Sequence, residues 1–310
     1  MHKIVKEQIR EVDVVAYSVG YDFNDAGQLE YRLQDFVKLL VNLIPEFAFG
    51  AHEGETTANK DVVSKVSRAA KAIYKIKEFQ EVKEIYAMGN EIADDSVEKK
   101  YLKRGEFGEL ILFYLLKEFH NTVPLVSKIY FKDSAGVAVH GFDAVHVNED
   151  TKSLWLGESK MYVDGKSGLK ELIKDLYDHF NTSYMEDEFA VISKWVDLGV
   201  KRDEKSQYWL DLLNETTSLR DQLDSIVVPL ICTYTCDIYS KENIDDTSES
   251  FLGEFEKEIK SMKEYFDARN THPLKDKLKI LVILFPVKSK NELVKKLHNN
   301  LNMMQMIGEL

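Results

Sequence analysis

The sequence predicts an α/β fold, with a sheet flanked by helices and a smaller α+β region at the N-terminus. Two continuous apolar, β-branched runs, Ile226 to Tyr234 and Leu278 to Phe285, have the composition of strands buried inside a sheet. Long stretches between the strands carry apolar residues at helical spacing, each with one buried side. Between residues 99 and 234 the predicted elements follow the order α-β-β-β-α-β, with a further helix and strand beyond.

Along the chain, Glu11 to Gly20 alternates Val12, Val14 and Ala16 with other residues and reads as a strand. Leu29, Leu33, Phe36, Val37, Leu40, Leu43 and Ile44 fall on one helical face, and Pro45 is expected to stop that helix. Gly50 to Asn59 reads as a loop, and Val62 to Ile76 returns to helical spacing. The acidic stretch Glu91–Asp95 marks a boundary, so residues 1–95 are expected to form a separate N-terminal layer and 96–310 a second domain. Lys99 to Phe119 reads as a helix, closed by Pro124. Val126–Lys132, Val137–Val147 and Leu154–Tyr162 read as strands, the last two joined as a hairpin by the polar link Asn148–Lys152. Gly168–Phe180 is a helix with Leu169, Leu172, Ile173, Leu176 and Phe180 on one side. A polar, helix-prone insertion runs from Asn181 to Asp224. The charges from Glu242 to Lys263 read as a solvated helix and its approach.

Composition narrows the function. The chain has 310 residues, 53 Asp+Glu against 41 Lys+Arg, and a formal charge of -12. Such acidity counts against a protein that coats nucleic acid by charge alone; holding a polyanion requires a local basic groove, a metal or a partner. Two cysteines exclude a disulfide scaffold and a four-cysteine zinc module. No apolar run approaches a membrane span and the start lacks a signal-peptide core, so the expected location is the cytoplasm.

The chemistry concentrates in the hairpin. Glu158 and Lys160, two apart, share a strand face with Leu154 and Leu156, so an apolar face ends in two ionisable groups that are costly to leave unpaired. Asp143 on the neighbouring strand can meet them across the ladder. Two carboxylates and an ammonium at one point suit a hard divalent cation and a positioned water. Helix 99–119 opens Arg104-Gly105-Glu106-Phe107-Gly108-Glu109, with Glu106 and Glu109 on one face and glycines that permit a close approach to the sheet.

A Gly-x-x-x-Glu helix, a strand with Asp and a partner strand with Glu-x-Lys, in this order, resembles the PD-(D/E)xK nuclease fold, here with Gly141-Phe142 before the aspartate. More narrowly, Arg104–Glu109, Gly141–Val147, Leu156–Lys160 and Pro229–Tyr234 make residues 96–310 similar to the HamA family, the nuclease subunits of the Hachiman anti-phage defence system. The resemblance implies a Mg²⁺-dependent deoxyribonuclease (Mn²⁺ as substitute) in complex with a HamB-like helicase, with residues 1–95 as the partner-binding region. It implies Asp143, Glu158 and Glu109 as metal ligands and Lys160 as the residue orienting the attacking water. Glu109 fits the Gly-x-x-x-Glu spacing from Gly105; Glu106 is the alternative. No Gln stands in Gly168–Phe180, which counts against an exonuclease-like mode. The competing class is a catalytically inactive subunit that docks on a helicase and regulates it.

Blander readings stand beside these. A Glu-x-Lys is commonly a cross-strand ion pair, and acids at a helix start are favoured by its dipole. His140 and His146 have the opposite strand parity to Asp143 and are expected to face away from it. Cys232 and Cys236 lack zinc spacing and read as buried thiols. Lys166, Ser167 and Lys170 at a helix start can bind phosphate or form an ordinary solvated turn.

Overall fold

A computed structural model describes residues 4–50, 62–73, 105–125, 141–199, 204–214, 216–241 and 245–307. Strands β1 (Val5–Arg10), β2 (Val14–Val19), β3 (Tyr21–Phe23) and β4 (Leu29–Tyr31) are followed by helices α1 (Leu33–Phe49), α2 (Val62–Ile73) and α3 (Glu106–His120). Next come β5 (Val123–Pro124), β6 (Ala144–Asn148), β7 (Ser153–Tyr162) and α4 (Gly165–His179). The insertion forms α5 (Thr182–Gly199), α6 (Glu204–Leu212) and α7 (Leu219–Asp224). The chain then runs through β8 (Ile226–Thr235), α8 (Glu249–Asp267), β9 (Lys279–Val287) and α9 (Lys290–Ile307).

The α/β class holds. Seven strands form one sheet in the order β1-β2-β9-β8-β7-β6-β5, with β3 and β4 a separate hairpin. Strands β2, β9, β8 and β7 run parallel, so their carboxyl ends share one edge, while β1, β6 and β5 are antiparallel to their neighbours. The segment before residue 95 therefore supplies β1 and β2 to the same sheet as the elements after it; the acidic stretch Glu91–Asp95 lies outside the described residues.

Each sheet face carries its own apolar layer. On one, α1, α2, α3 and α9 cover Val15, Tyr17, Trp155, Met161, Ile231, Ile283 and Phe285. On the other, α4, α5 and α8 cover Leu154, Leu156, Val228, Leu230, Cys232, Val282 and Leu284. The alternation of β7 thus divides its side chains cleanly between the layers, and Leu154 and Leu156 point to the α4 side as their parity requires.

Several expectations need correction. Pro45 does not stop α1: it forfeits one backbone hydrogen bond, but the helix continues to Phe49 because Phe47, Ala48 and Phe49 are buried. The strand expected over Glu11–Gly20 is β2 and begins only at Val14, since Val12 is fully exposed, and the edge strand β1 precedes it with a register shift between Glu7 and Ile9. In the described part of strand 137–147, β structure begins at Ala144; Val126–Lys132 and Val137–His140 lie outside the described residues. Helix α8 is not merely solvated, because Phe251, Phe255, Ile259, Met262 and Phe266 bury one face. The hairpin link behaves as its polarity suggests: Asn148 Oδ1 accepts from the amides of Asp150 and Thr151 at 3.0 Å.

Gly157 marks a crossing where three elements close on one residue. A Cβ there would stand 2.8 Å from Leu112 Cδ2, 3.2 Å from Pro229 Cγ and 3.3 Å from Ala144 Cβ, so α3 and both neighbouring strands close on it. Gly157→Ala is expected to destabilise the fold by about 1–3 kcal/mol through overpacking, read as a lower denaturation midpoint. An unchanged midpoint would mean that α3 does not seat on β7 as described.

Candidate active site at the end of the hairpin

Strand β6 begins at Ala144, opposite Gly157, so among the described residues β7 has no antiparallel strand partner from Glu158 onward. Asp143 sits in that gap. Its Oδ2 accepts from the Ser159 amide and from Ser159 Oγ, both at 2.8 Å, so a carboxylate stands where a strand carbonyl would otherwise complete the ladder. Phe142, 2% exposed, anchors this turn against Phe180 (5.1 Å between ring centroids), His179 and Tyr184. An apolar ring in the position before the aspartate is what fixes the approach of the carboxylate.

Glu158 and Lys160 point to the α4 layer, as the strand parity predicts. Glu158 is 2% exposed, and its Oε1 lies 2.6 Å from His179 Nδ1. Burial raises the Glu158 pKa, with His179 offsetting part of the rise. Lys160 pairs with Asp175. Burial alone would lower the Lys160 pKa, but the bond and charge of Asp175, with Asp143 and Glu158 behind it, outweigh that and raise it. Lys160 is therefore an ammonium, a donor rather than a base. His179 follows the same logic: burial opposes its charge, and Glu158 overcomes the opposition, so its pKa is raised. Tyr184 stacks on the imidazole at 4.6 Å and 17°. Nearby on α5, burial pushes the Glu188 pKa up to about 7.

Asp143, Glu158 and Lys160 are thus brought together. Glu109 comes from the other layer: α3 packs through Gly108, where a Cβ would lie 3.1 Å from Ser159 Oγ and 3.3 Å from Met161. Gly108 has the close-approach role expected of it, whereas a Cβ at Gly105 would meet only Glu109, at 4.0 Å. Both Glu106 and Glu109 lie in the first turn of α3, and Glu109 is buried. Among the described residues, no three His, Cys, Asp or Glu side chains are grouped to hold a metal ion. Asp175 is taken by Lys160, which leaves Asp143 and Glu158 as the two hard carboxylates at hand among the described residues. That number suits Mg²⁺, which commonly takes one or two protein carboxylates and fills its octahedron with water and phosphate.

Sequence reasoning missed Asp175 and His179. A signal existed: counted from the buried Leu172 they fall at plus three and plus seven, on the apolar stripe of α4, where charged residues need a partner. The other candidates are structural. His146 bonds Thr122 Oγ1 at 2.9 Å and meets the Phe113 ring edge-on, on the α3 side. Both cysteines are buried free thiols, and burial pushes the Cys236 pKa up to about 12. Asp164 caps the start of α4 by accepting from the Ser167 amide at 2.8 Å.

The fold and site define a class: an α/β protein with an Asp, a Glu-x-Lys and their charged partners gathered where a hairpin opens beside a parallel sheet. The HamA family profile matches residues 1–301, and the chain belongs to that family, which is tied to Hachiman defence. No curated protein matches the chain. Among the described residues no helix is long and apolar enough to cross a membrane.

Burial lowers the pKa of His146 to about 3, while the unfolded chain takes up that proton near 6.5. The unfolded state then binds more protons below pH 6.5, so stability falls as pH drops through that range. Between pH 6.5 and 5 this histidine costs about 2 kcal/mol. Urea denaturation at pH 7 and pH 5 should show the loss shrinking by about that amount in His146→Gln. An unchanged difference would mean that His146 is protonated in the fold.

Proposed function

We propose that this HamA-family chain is a divalent-metal-dependent deoxyribonuclease of the PD-(D/E)xK type that acts in phage defence with a helicase partner. The observation that carries this reading is the convergence of Asp143, Glu158 and Lys160 where β7 outruns β6. The order α3-β5-β6-β7-α4, with the parallel strand β8 reached after the inserted helices α5, α6 and α7, supports it. A cation bound by Asp143 and Glu158 supplies the charge neutralisation that phosphodiester hydrolysis requires, which is how an acidic protein can act on a polyanion. Lys160, held as an ammonium, donates to and orients the attacking water. Glu109, in the first turn of α3, is not grouped with Asp143 and Glu158, so the reading rests on those two carboxylates and keeps Glu109 as a further candidate acid. With a net charge of -12 the chain is ill suited to capture DNA unaided, and a motor that grips DNA meets that need.

Plasmid cleavage with Mg²⁺ and with EDTA tests the activity. Asp143→Asn, Glu158→Gln and Lys160→Ala are each expected to lower Mg²⁺-dependent cleavage by about 100-fold or more, with the fold intact by circular dichroism. Lys160→Arg should also be poor, since a planar guanidinium does not replace a compact ammonium. Glu109→Gln should cost more than Glu106→Gln. Wild-type cleavage that persists in EDTA or in the Lys160 variants contradicts the assignment. Helicase co-purification without cleavage would favour the regulatory subunit instead.

A further inference from the structure

Glu158 and Lys160 are each met by a residue of α4, and the two meetings form one device. From Glu158 to Lys160 the strand advances about 6.6 Å. From His179 back to Asp175 the helix advances about 6 Å. Helix α4 doubles back directly from the end of β7 and packs on it, so it runs antiparallel to β7. The residue earlier on the strand therefore faces the later one on the helix: Glu158 meets His179 and Lys160 meets Asp175. The matched spacings let both bonds form at once.

We infer that His179 and Asp175 are positioning residues: His179 grips one oxygen of Glu158 and leaves the other for a divalent cation, and Asp175 aims the Lys160 ammonium. The inference rests on the nuclease reading and deepens it. The His179 bond engages Glu158 Oε1 alone. The imidazole is itself fixed, stacked on Tyr184 on one side and met edge-on by Phe142. Phe142 precedes Asp143, so the same aromatic cluster sets the second carboxylate. A ligand whose orientation is supplied by an outer hydrogen bond loses affinity when that bond is cut, commonly by 10–100-fold. For Lys160, removing the Asp175 charge leaves a flexible ammonium whose aim is lost while cation binding is preserved.

The test measures Mn²⁺ binding to the full chain by calorimetry and paramagnetic resonance, beside plasmid cleavage. His179→Ala should weaken Mn²⁺ binding about 10- to 100-fold. His179→Asn, whose amide nitrogen can stand near the Nδ1 position, should recover most of it. Asp175→Asn should leave Mn²⁺ affinity within about twofold and lower kcat far more than KM, with partial recovery in Asp175→Glu. Thermal melts identify any variant that fails to fold; for such a variant the conservative substitution carries the comparison. Wild-type Mn²⁺ affinity retained in both folded His179 variants, or an Asp175→Asn effect confined to KM, overturns the inference. So does a wild-type chain that binds no Mn²⁺. Wild-type chain that binds Mn²⁺ with the expected His179 dependence but cleaves no DNA sinks the nuclease reading and leaves the His179 arm standing.

Discussion

The burial of Glu158 is the constraint on which the rest of the site depends. A carboxylate that is 2% exposed, on a strand face otherwise covered by leucines, is costly unless it is paired. The pairing dictates what must surround it. A histidine has to stand on the covering helix, an aromatic pair has to hold that histidine, and the covering helix has to run in a direction that brings the histidine to the strand. Lys160, two residues on, imposes the same demand with opposite sign, and Asp175 answers it. Replacing this set by apolar residues would give an ordinary βαβ unit; keeping it is what distinguishes the end of β7 from the rest of the sheet.

The sheet supplies the opening. Were β6 longer by a few residues at its start, its backbone would pair with Ser159 and close the edge. It starts at Ala144, and Asp143 takes over the Ser159 amide. The N-terminal strands matter at the opposite flank: β2 pairs with β9 and extends the parallel part of the sheet, and α1 and α2 complete the layer shared with α3 and α9. The HamA match over residues 1–301 agrees with one continuous sheet that draws on both ends of the chain.

Much of this was legible in the sequence, and the failures have physical causes. Period-two alternation placed Glu158 and Lys160 on one face correctly because β7 is long and regular. Helix α4 is legible from its leucines, but apolar phase carries no sign of the roles of Asp175 and His179, whose partners stand on a different element, β7. Pro45 misled because tertiary burial of Phe47 and Phe49 outweighed one lost hydrogen bond. Strand β1 escaped notice because its charged residues disguise a short edge strand whose apolar side chains are only Val5 and Ile9. The relation of Glu109 to the hairpin acids depends on how α3 docks, which no periodicity encodes.

The central claim, that the end of the hairpin is a divalent-cation site built on Asp143 and Glu158, is tested most directly by diffraction from crystals soaked in Mn²⁺. Anomalous difference density within coordination distance of carboxylate oxygens of both residues is the predicted result. At saturating Mn²⁺, density found only elsewhere, with the Asp143–Ser159 and Glu158–His179 bonds unchanged and no ion between the carboxylates, would contradict it.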